Sequence, residues 1–178
     1  RHNDDCHYVV ATDDTRILDF CTGAGIPAVM TAETCRSGTE RCWDAVSQQA
    51  EPPAFIINLQ GDNPLCPPWV IQQLIDAWKA APADVFTPCI HLDWNEYDRL
   101  VESKKTTPYS GTTVLVDKDG YAMAFSKSTI PAIRKPEKAR ATLAKSPVRR
   151  HVGLYSYTYA ALKNYFELPE GDYEKGAV

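Results

Sequence analysis

Short apolar runs alternate with segments of helical period through the first ninety residues, and only a few residues join one to the next. Tyr8-Val-Val-Ala-Thr12 reads as a buried strand, and Asp14 can cap a helix that carries Ile17, Leu18 and Cys21 on one side. Gly23 and Gly25 can end that helix. Pro27-Ala-Val-Met30 is a second short strand, and Thr39 to Gln49 carries Cys42, Trp43 and Val46 at helical spacing. Phe55-Ile-Ile-Asn-Leu59 is the clearest strand of all. Pro68 suits a first helical turn, and Trp69, Val70, Leu74, Ile75 and Trp78 follow with a 3.6 period, both tryptophans being expected in the core. Asp84 to Ile90 is expected as one further strand. Strands and helices in strict alternation predict an α/β fold, Rossmann-like, with a mixed, mainly parallel sheet and helices on both faces.

The second half changes character. Thr112-Thr-Val-Leu-Val116 and Tyr121-Ala-Met-Ala-Phe125 flank Asp117-Lys-Asp-Gly120, which predicts an antiparallel hairpin with a glycine-containing turn. Lys135 to Lys145 is basic and weakly patterned, a loop or a short helix. Val152 to Tyr157 reads as a strand and Ala160 to Phe166 as a helix. With no internal repeat and no low-complexity linker, residues 1–178 read as a single α/β domain with an antiparallel excursion. The chain opens without Met in the polar run Arg1–Asp5 and stops at Val178 as a helix is starting, so the domain is expected to be incomplete at both ends.

Composition narrows the class. Hydrophobic residues at 44% and charged residues at 24% exclude a disordered chain, a collagen and a disulfide mini-protein. The net charge of −4 comes with no Lys/Arg-rich tract, so no nucleic-acid partner is expected. The uncharged stretch Asn63 to Ile75 holds three prolines and two glutamines and is too short and polar to span a bilayer. The six cysteines form no C-x-x-C pair, which argues against a zinc site and for a reduced, cytoplasmic setting.

In open α/β sheets, ligands bind beyond the carboxyl ends of the strands. Asp13 and Asp14 follow the first strand, Gln60-Gly-Asp-Asn-Pro64 follows the most apolar one, and His91 follows Ile90. Gly61 allows close backbone approach, and Asp62 on a turn at the sheet rim suits Mg²⁺, which prefers hard oxygen ligands. A solvated turn acid is the plainer account. Arg36-Ser-Gly-Thr-Glu-Arg41 runs into a helix start whose amides and hydroxyls could hold a nucleotide, or Ser37 and Glu40 could simply form a capping box. Alternation along a strand from His151 would put Gly153 and Tyr155 on its face, lining a sugar pocket or an ordinary polar edge. Neither common phosphate-loop motif, G-x-x-x-x-G-K-S/T or G-x-G-x-x-G, occurs.

Val10-Ala-Thr-Asp13, Ser37-Gly-Thr-Glu-Arg41, Asn58-Leu-Gln-Gly-Asp62-Asn-Pro64, Gly120-Tyr-Ala-Met-Ala-Phe-Ser126, Ile130-Pro131 and Arg150-His-Val-Gly-Leu-Tyr155 occur in this order. Together they resemble the 3-deoxy-manno-octulosonate cytidylyltransferases, also called CMP-KDO synthetases. The resemblance runs from about Tyr8 to Leu168 and is loose over 101–111 and 132–146. It implies transfer of CMP from CTP to 3-deoxy-D-manno-octulosonate (KDO), releasing pyrophosphate, for lipopolysaccharide synthesis. It also implies a cytoplasmic homodimer working with Mg²⁺. By the same resemblance Asp62 is the metal carboxylate, Gln60 contacts sugar or nucleotide, and Ser37, Gly38, Thr39 and Arg41 lie on the nucleotide side. His151 and Tyr155 contact KDO, and Lys127 stands where many members place an Arg for the KDO carboxylate. Lys keeps the charge but lacks the bidentate fork. Asn63 replaces the Glu usual after the metal Asp. The family's basic opening loop, A-R-x-x-S-x-R-L-P-G-K-P-L, and its later magnesium Asp and Glu-Gln pair have no match here. The chain alone is therefore expected to bind CTP weakly and turn over little. Alternatives are a CMP-sialic acid synthetase or another sugar nucleotidylyltransferase, and a non-catalytic module on the same fold.

Overall fold

The computed structural model describes residues 6–81, 83–169, 171, 172 and 175; the polar run Arg1–Asp5 and the helix start expected at Val178 lie outside them. The fold is α/β, with nine strands and six helices among the described residues. They divide into two compact units. The first comprises residues up to Pro67, Ala77–Val85 and the chain from Ser156 onward, and the second comprises Pro68–Asp76 and Phe86–Tyr155.

In the first unit, β1 (Val10–Thr12) pairs in parallel with β2 (Ala28–Met30), Val10 opposite Ala28. Between them runs α1 (Thr15–Gly23), capped by Asp14, whose carboxylate accepts from the Arg16 backbone N–H at 2.8 Å. The chain leaves α1 through Gly25 at φ +69°, a left-handed conformation that glycine adopts without steric cost. Helix α2 (Gly38–Ser47) comes next, then β3 (Phe55–Asn58). A second sheet has the order β3-β9-β4, with β4 at Val85–Phe86 and β9 at Tyr155–Thr158. Phe55 stacks on Trp78 with ring centroids 4.9 Å apart, and Trp43 stacks on Phe166 at 6.0 Å. Trp78 comes from the end of α3 (Pro68–Ala80), and α6 (Tyr159–Tyr165) supplies the fully buried Leu162.

The second unit is built on a four-stranded sheet of order β5-β8-β6-β7, in which all registered pairs are antiparallel. Its strands are β5 (Cys89–His91), β6 (Thr113–Val116), β7 (Ala122–Ser126) and β8 (Arg149–His151). The hairpin β6–β7 turns through Gly120 at φ +94°, as its sequence predicts. Leu92, Leu100 and Val148 form one buried cluster in this unit, with Tyr97 and Ile133 packed against it, and Val114 and Leu154 are buried as well. Leu100 and Tyr97 belong to α4 (Trp94–Thr106), which starts in a full capping box between Asp93 and Glu96. Lys135 to Lys145 resolves into a short helix, α5 (Pro136–Thr142).

Three local expectations are corrected. Asp84 to Ile90 is not one strand: it breaks at Thr87-Pro88 into β4 and β5, which join different sheets, because Pro88 has no N–H for a ladder. Val152 to Tyr157 is not one strand either. The chain is interrupted after β8, where the Leu154 N–H turns back to the Val152 carbonyl at 2.7 Å, and it resumes as β9. Trp69 is not in the core; on the outer side of α3 it is 61% exposed, while Val70 and Leu74 are the residues buried.

Candidate functional site

Within the first unit, the Ser-Gly-Thr loop and the turn after β3 meet. Ser37 caps α2, its Oγ accepting from the Glu40 N–H at 3.1 Å. The reciprocal half of a capping box is absent. Glu40 instead accepts from the Arg36 backbone N–H at 2.6 Å and its guanidinium at 2.9 Å, and these contacts hold its carboxyl below the usual range. The N–H groups of Gly38 and Thr39 have no partner among the described residues. Two open amides at the start of a ten-residue helix face the favourable end of its dipole for an anion. Gly38 gives the Gln60 side chain room, since a Cβ on it would lie 2.9 Å from Gln60 Nε2, which would have to move aside. The Gln60 amide thus lies against the loop, and Gln60 opens the turn closed by the Asn63 N–H on its carbonyl at 3.0 Å.

Asp62 is exposed on that turn and has no hydrogen-bond partner among the described residues. Arg41 is differently placed. Its guanidinium donates to Asp13 Oδ2 and Thr31 Oγ1, each at 2.7 Å, and so ties α2 to the carboxyl ends of β1 and β2. Asp14, the other acid at the end of β1, is engaged by the Arg16 side chain and backbone, which pull its carboxyl down to about 2.

The second unit gathers His151, Tyr155 and Lys127. The His151 and Tyr155 rings lie 5.2 Å apart although the strand between them is broken, so the turn at 152–154, not alternation, brings them together. Phe125 meets the His151 ring edge-on at 5.0 Å. His151 Nε2 lies 2.6 Å from Thr87 Oγ1. Burial, and then the charge of Lys127, lower the His151 pKa below 6.5, so the ring is neutral at neutral pH. Burial raises the Tyr155 phenol, which stays protonated. Lys127 is exposed and reaches Thr112 Oγ1 at 3.0 Å. Its own carbonyl is gripped by Lys104, whose Nζ also donates to the carbonyls of Ser110 and Gly111, at 2.5, 2.7 and 2.8 Å respectively. His91, the third strand-end candidate, donates to the Ser146 carbonyl at 2.7 Å and acts as a structural clip.

Sequence reading missed Thr87, Thr112 and Lys104. Only Thr87 carries a usable signal, because the adjacent Pro88 marks a strand break. No group of three or more His, Cys, Asp or Glu that could hold a metal occurs among the described residues. No helix among them is long and apolar enough to cross a membrane.

Comparison with known proteins places these features in a family. The cytidylyltransferase family pattern matches residues 3–176. The chain is 41% identical over 167 residues to a 3-deoxy-manno-octulosonate cytidylyltransferase of Maricaulis maris, covering 93% of this chain and 62% of that protein. It is 35% identical to the mitochondrial enzyme of that name from Arabidopsis thaliana, over 91% of this chain and 52% of the relative. Among solved structures, a CMP:2-keto-3-deoxy-manno-octonic acid synthetase complexed with CTP superposes with a TM-score of 0.79 at 31% identity, over 96% of this chain and 64% of the other. The chain therefore spans between half and two thirds of the length of these relatives, and it belongs to the cytidylyltransferase family.

Proposed function

We propose that the protein transfers CMP from CTP to KDO, giving CMP-KDO and pyrophosphate. The observation that carries this reading is the pairing of open amides at Gly38 and Thr39 with an unengaged carboxylate at Asp62, in a chain 41% identical to a named KDO cytidylyltransferase. The amides suit phosphate oxygens. Ser37 and Thr39 carry hydroxyls on the same loop, and the Gln60 side chain lies against Gly38. Arg41 acts by holding α2 against Asp13.

Asp62 fits Mg²⁺ in the manner that ion favours, one carboxylate completed by substrate phosphates and water, and not as an all-protein cage. When bound there, the ion would neutralise triphosphate charge as pyrophosphate departs. The protein's own part in such a transfer is positioning and electrostatics. On the sugar side, Lys127 offers a cation to the carboxylate of the acid, while the neutral His151 and the protonated Tyr155 offer polar atoms to its hydroxyls. In the proposed reaction the anomeric hydroxyl of KDO attacks the α-phosphate of CTP and pyrophosphate leaves. A homodimer and a cytoplasmic location belong to the same proposal. The outer strand β7, with Met123 and Phe125 exposed, is an edge that a partner could cover.

The test is pyrophosphate release by the full-length protein from CTP with KDO, 8-amino-KDO and N-acetylneuraminate in turn, with and without Mg²⁺. KDO is expected to be the preferred acceptor and Mg²⁺ to be required. Release with N-acetylneuraminate alone, or with none of the three, would overturn the proposal.

A further inference from the structure

Two chain breaks lie opposite each other in the second unit, one at Thr87-Pro88 and one at 152–154, and the Thr87 hydroxyl bridges them. Its Oγ1 lies 2.8 Å from the Leu154 carbonyl oxygen, 3.3 Å from the Val152 carbonyl oxygen and 2.6 Å from His151 Nε2. A hydroxyl has one proton to donate and lone pairs to accept with. Two oxygens 2.8 Å apart with no proton between them repel, so the Thr87 proton belongs to a carbonyl, and to Leu154 by distance. The contact with His151 then needs a proton from the other side. Nε2 must carry it. In a neutral imidazole that leaves Nδ1 bare, and Nδ1 has no hydrogen-bond partner among the described residues.

We infer that Thr87 is a positioning residue that locks His151 in the Nε2–H tautomer, so that Nδ1 acts only as an acceptor and selects a hydroxyl donor on the bound sugar acid. This rests on the reading of His151 as a sugar contact. It divides the recognition. A bare Nδ1 repels a carboxylate oxygen and takes a hydroxyl, which leaves the acid group of the substrate to Lys127. The surroundings of the ring agree. Phe125 of β7 and Tyr155 of β9 flank it, Cys89 of β5 stands opposite in the ladder, and Lys127 supplies the nearby charge, which opposes a second ring proton. No carboxylate is among these neighbours.

Selective ¹⁵N-histidine labelling of the full-length protein, read by long-range ¹H–¹⁵N correlation at neutral pH without substrate, reports the tautomer directly. The expected spectrum has His151 protonated at Nε2 and bare at Nδ1. In Thr87→Val the signal moves toward a mixture of tautomers, the KM for KDO rises about tenfold, as loss of one half-buried hydrogen bond predicts, and the KM for CTP stays within about twofold. Thr87→Ser restores both readouts. A wild-type ring protonated at Nδ1 would overturn the inference, as would a Thr87→Val protein with unchanged spectrum and KM. Should Thr87→Val not fold, the wild-type and Thr87→Ser spectra still decide. Should KDO prove not to be a substrate, the functional reading fails while the spectrum continues to test the tautomer.

Discussion

The Ser-Gly-Thr loop of the first unit and the histidine pocket of the second are assembled in opposite ways. The loop is a local object: Ser37 caps Glu40 three residues on, and Arg36 grips the same Glu40. Ser37 and Gly38 are exposed and the amides of Gly38 and Thr39 are open, while Asp62 on the neighbouring turn stands in solvent. The pocket is assembled over long distances in sequence: Thr87 meets His151 at a separation of 64 residues, and the ring is half-buried and neutral. A local, charged, solvated site suits a polyanion whose charge supplies the affinity. A half-buried, neutral, tautomer-fixed site suits a hydroxylated molecule that must be told apart from its relatives.

The sharpest way to break this contrast is Asp62→Ala in the full-length protein. Loss of the unengaged carboxylate that we propose as the magnesium ligand should lower pyrophosphate release by about 10²–10³-fold and abolish the Mg²⁺ response. Unchanged activity would favour a non-catalytic module. Lys127→Met should come next, raising the KM for KDO by about 10–100-fold with little change for CTP, the usual cost of a charge-assisted hydrogen bond. Lys127→Arg should keep binding near wild type, and an unaffected Met variant would remove Lys127 from the sugar side. Gly38→Ala brings a methyl carbon to 2.9 Å from the flexible Gln60 amide, which must swing away. The KM for CTP should rise a few-fold, about 2–5-fold, with no effect on KDO. Arg41→Ala should do least, costing about 1 kcal/mol or less of stability by urea titration, because both partners of the Asp13 pair are partly solvated.

The pH dependence separates the two regions as well. The folded-state pKa of His151 is lowered, first by burial and then by Lys127. The folded state therefore binds fewer protons than the unfolded chain. Stability from this group is fully present above 6.5 and is lost as pH falls through the lowered folded value. Thermal melts of wild type and His151→Gln should diverge in slope below pH 6.5, and parallel curves would show that the ring carries no such penalty.

Legibility in the sequence divides along the same line. The Asp14 and Ser37 caps, the Gly120 hairpin turn and Pro68 at a helix start are fixed by chemistry within three or four residues, so each can be read directly. Helix α4 cannot, because Trp94–Thr106 is strongly polar and buries only Leu100. Strand alternation predicts that His151 and Tyr155 share a face, but a turn delivers the pairing. Thr87 is hidden inside a run that looks like one apolar strand, and its partners lie 64 to 67 residues away, beyond any local pattern.

The order β3-β9-β4 has a kinetic consequence. The middle strand of that sheet is the last of the three to be synthesised, and β3 waits roughly 100 residues for the neighbour that completes it. The β6–β7 hairpin can form as soon as its two strands emerge, whereas β5 must wait for β8 and β3 for β9, with the apolar edge of Phe55–Asn58 uncovered in the interval.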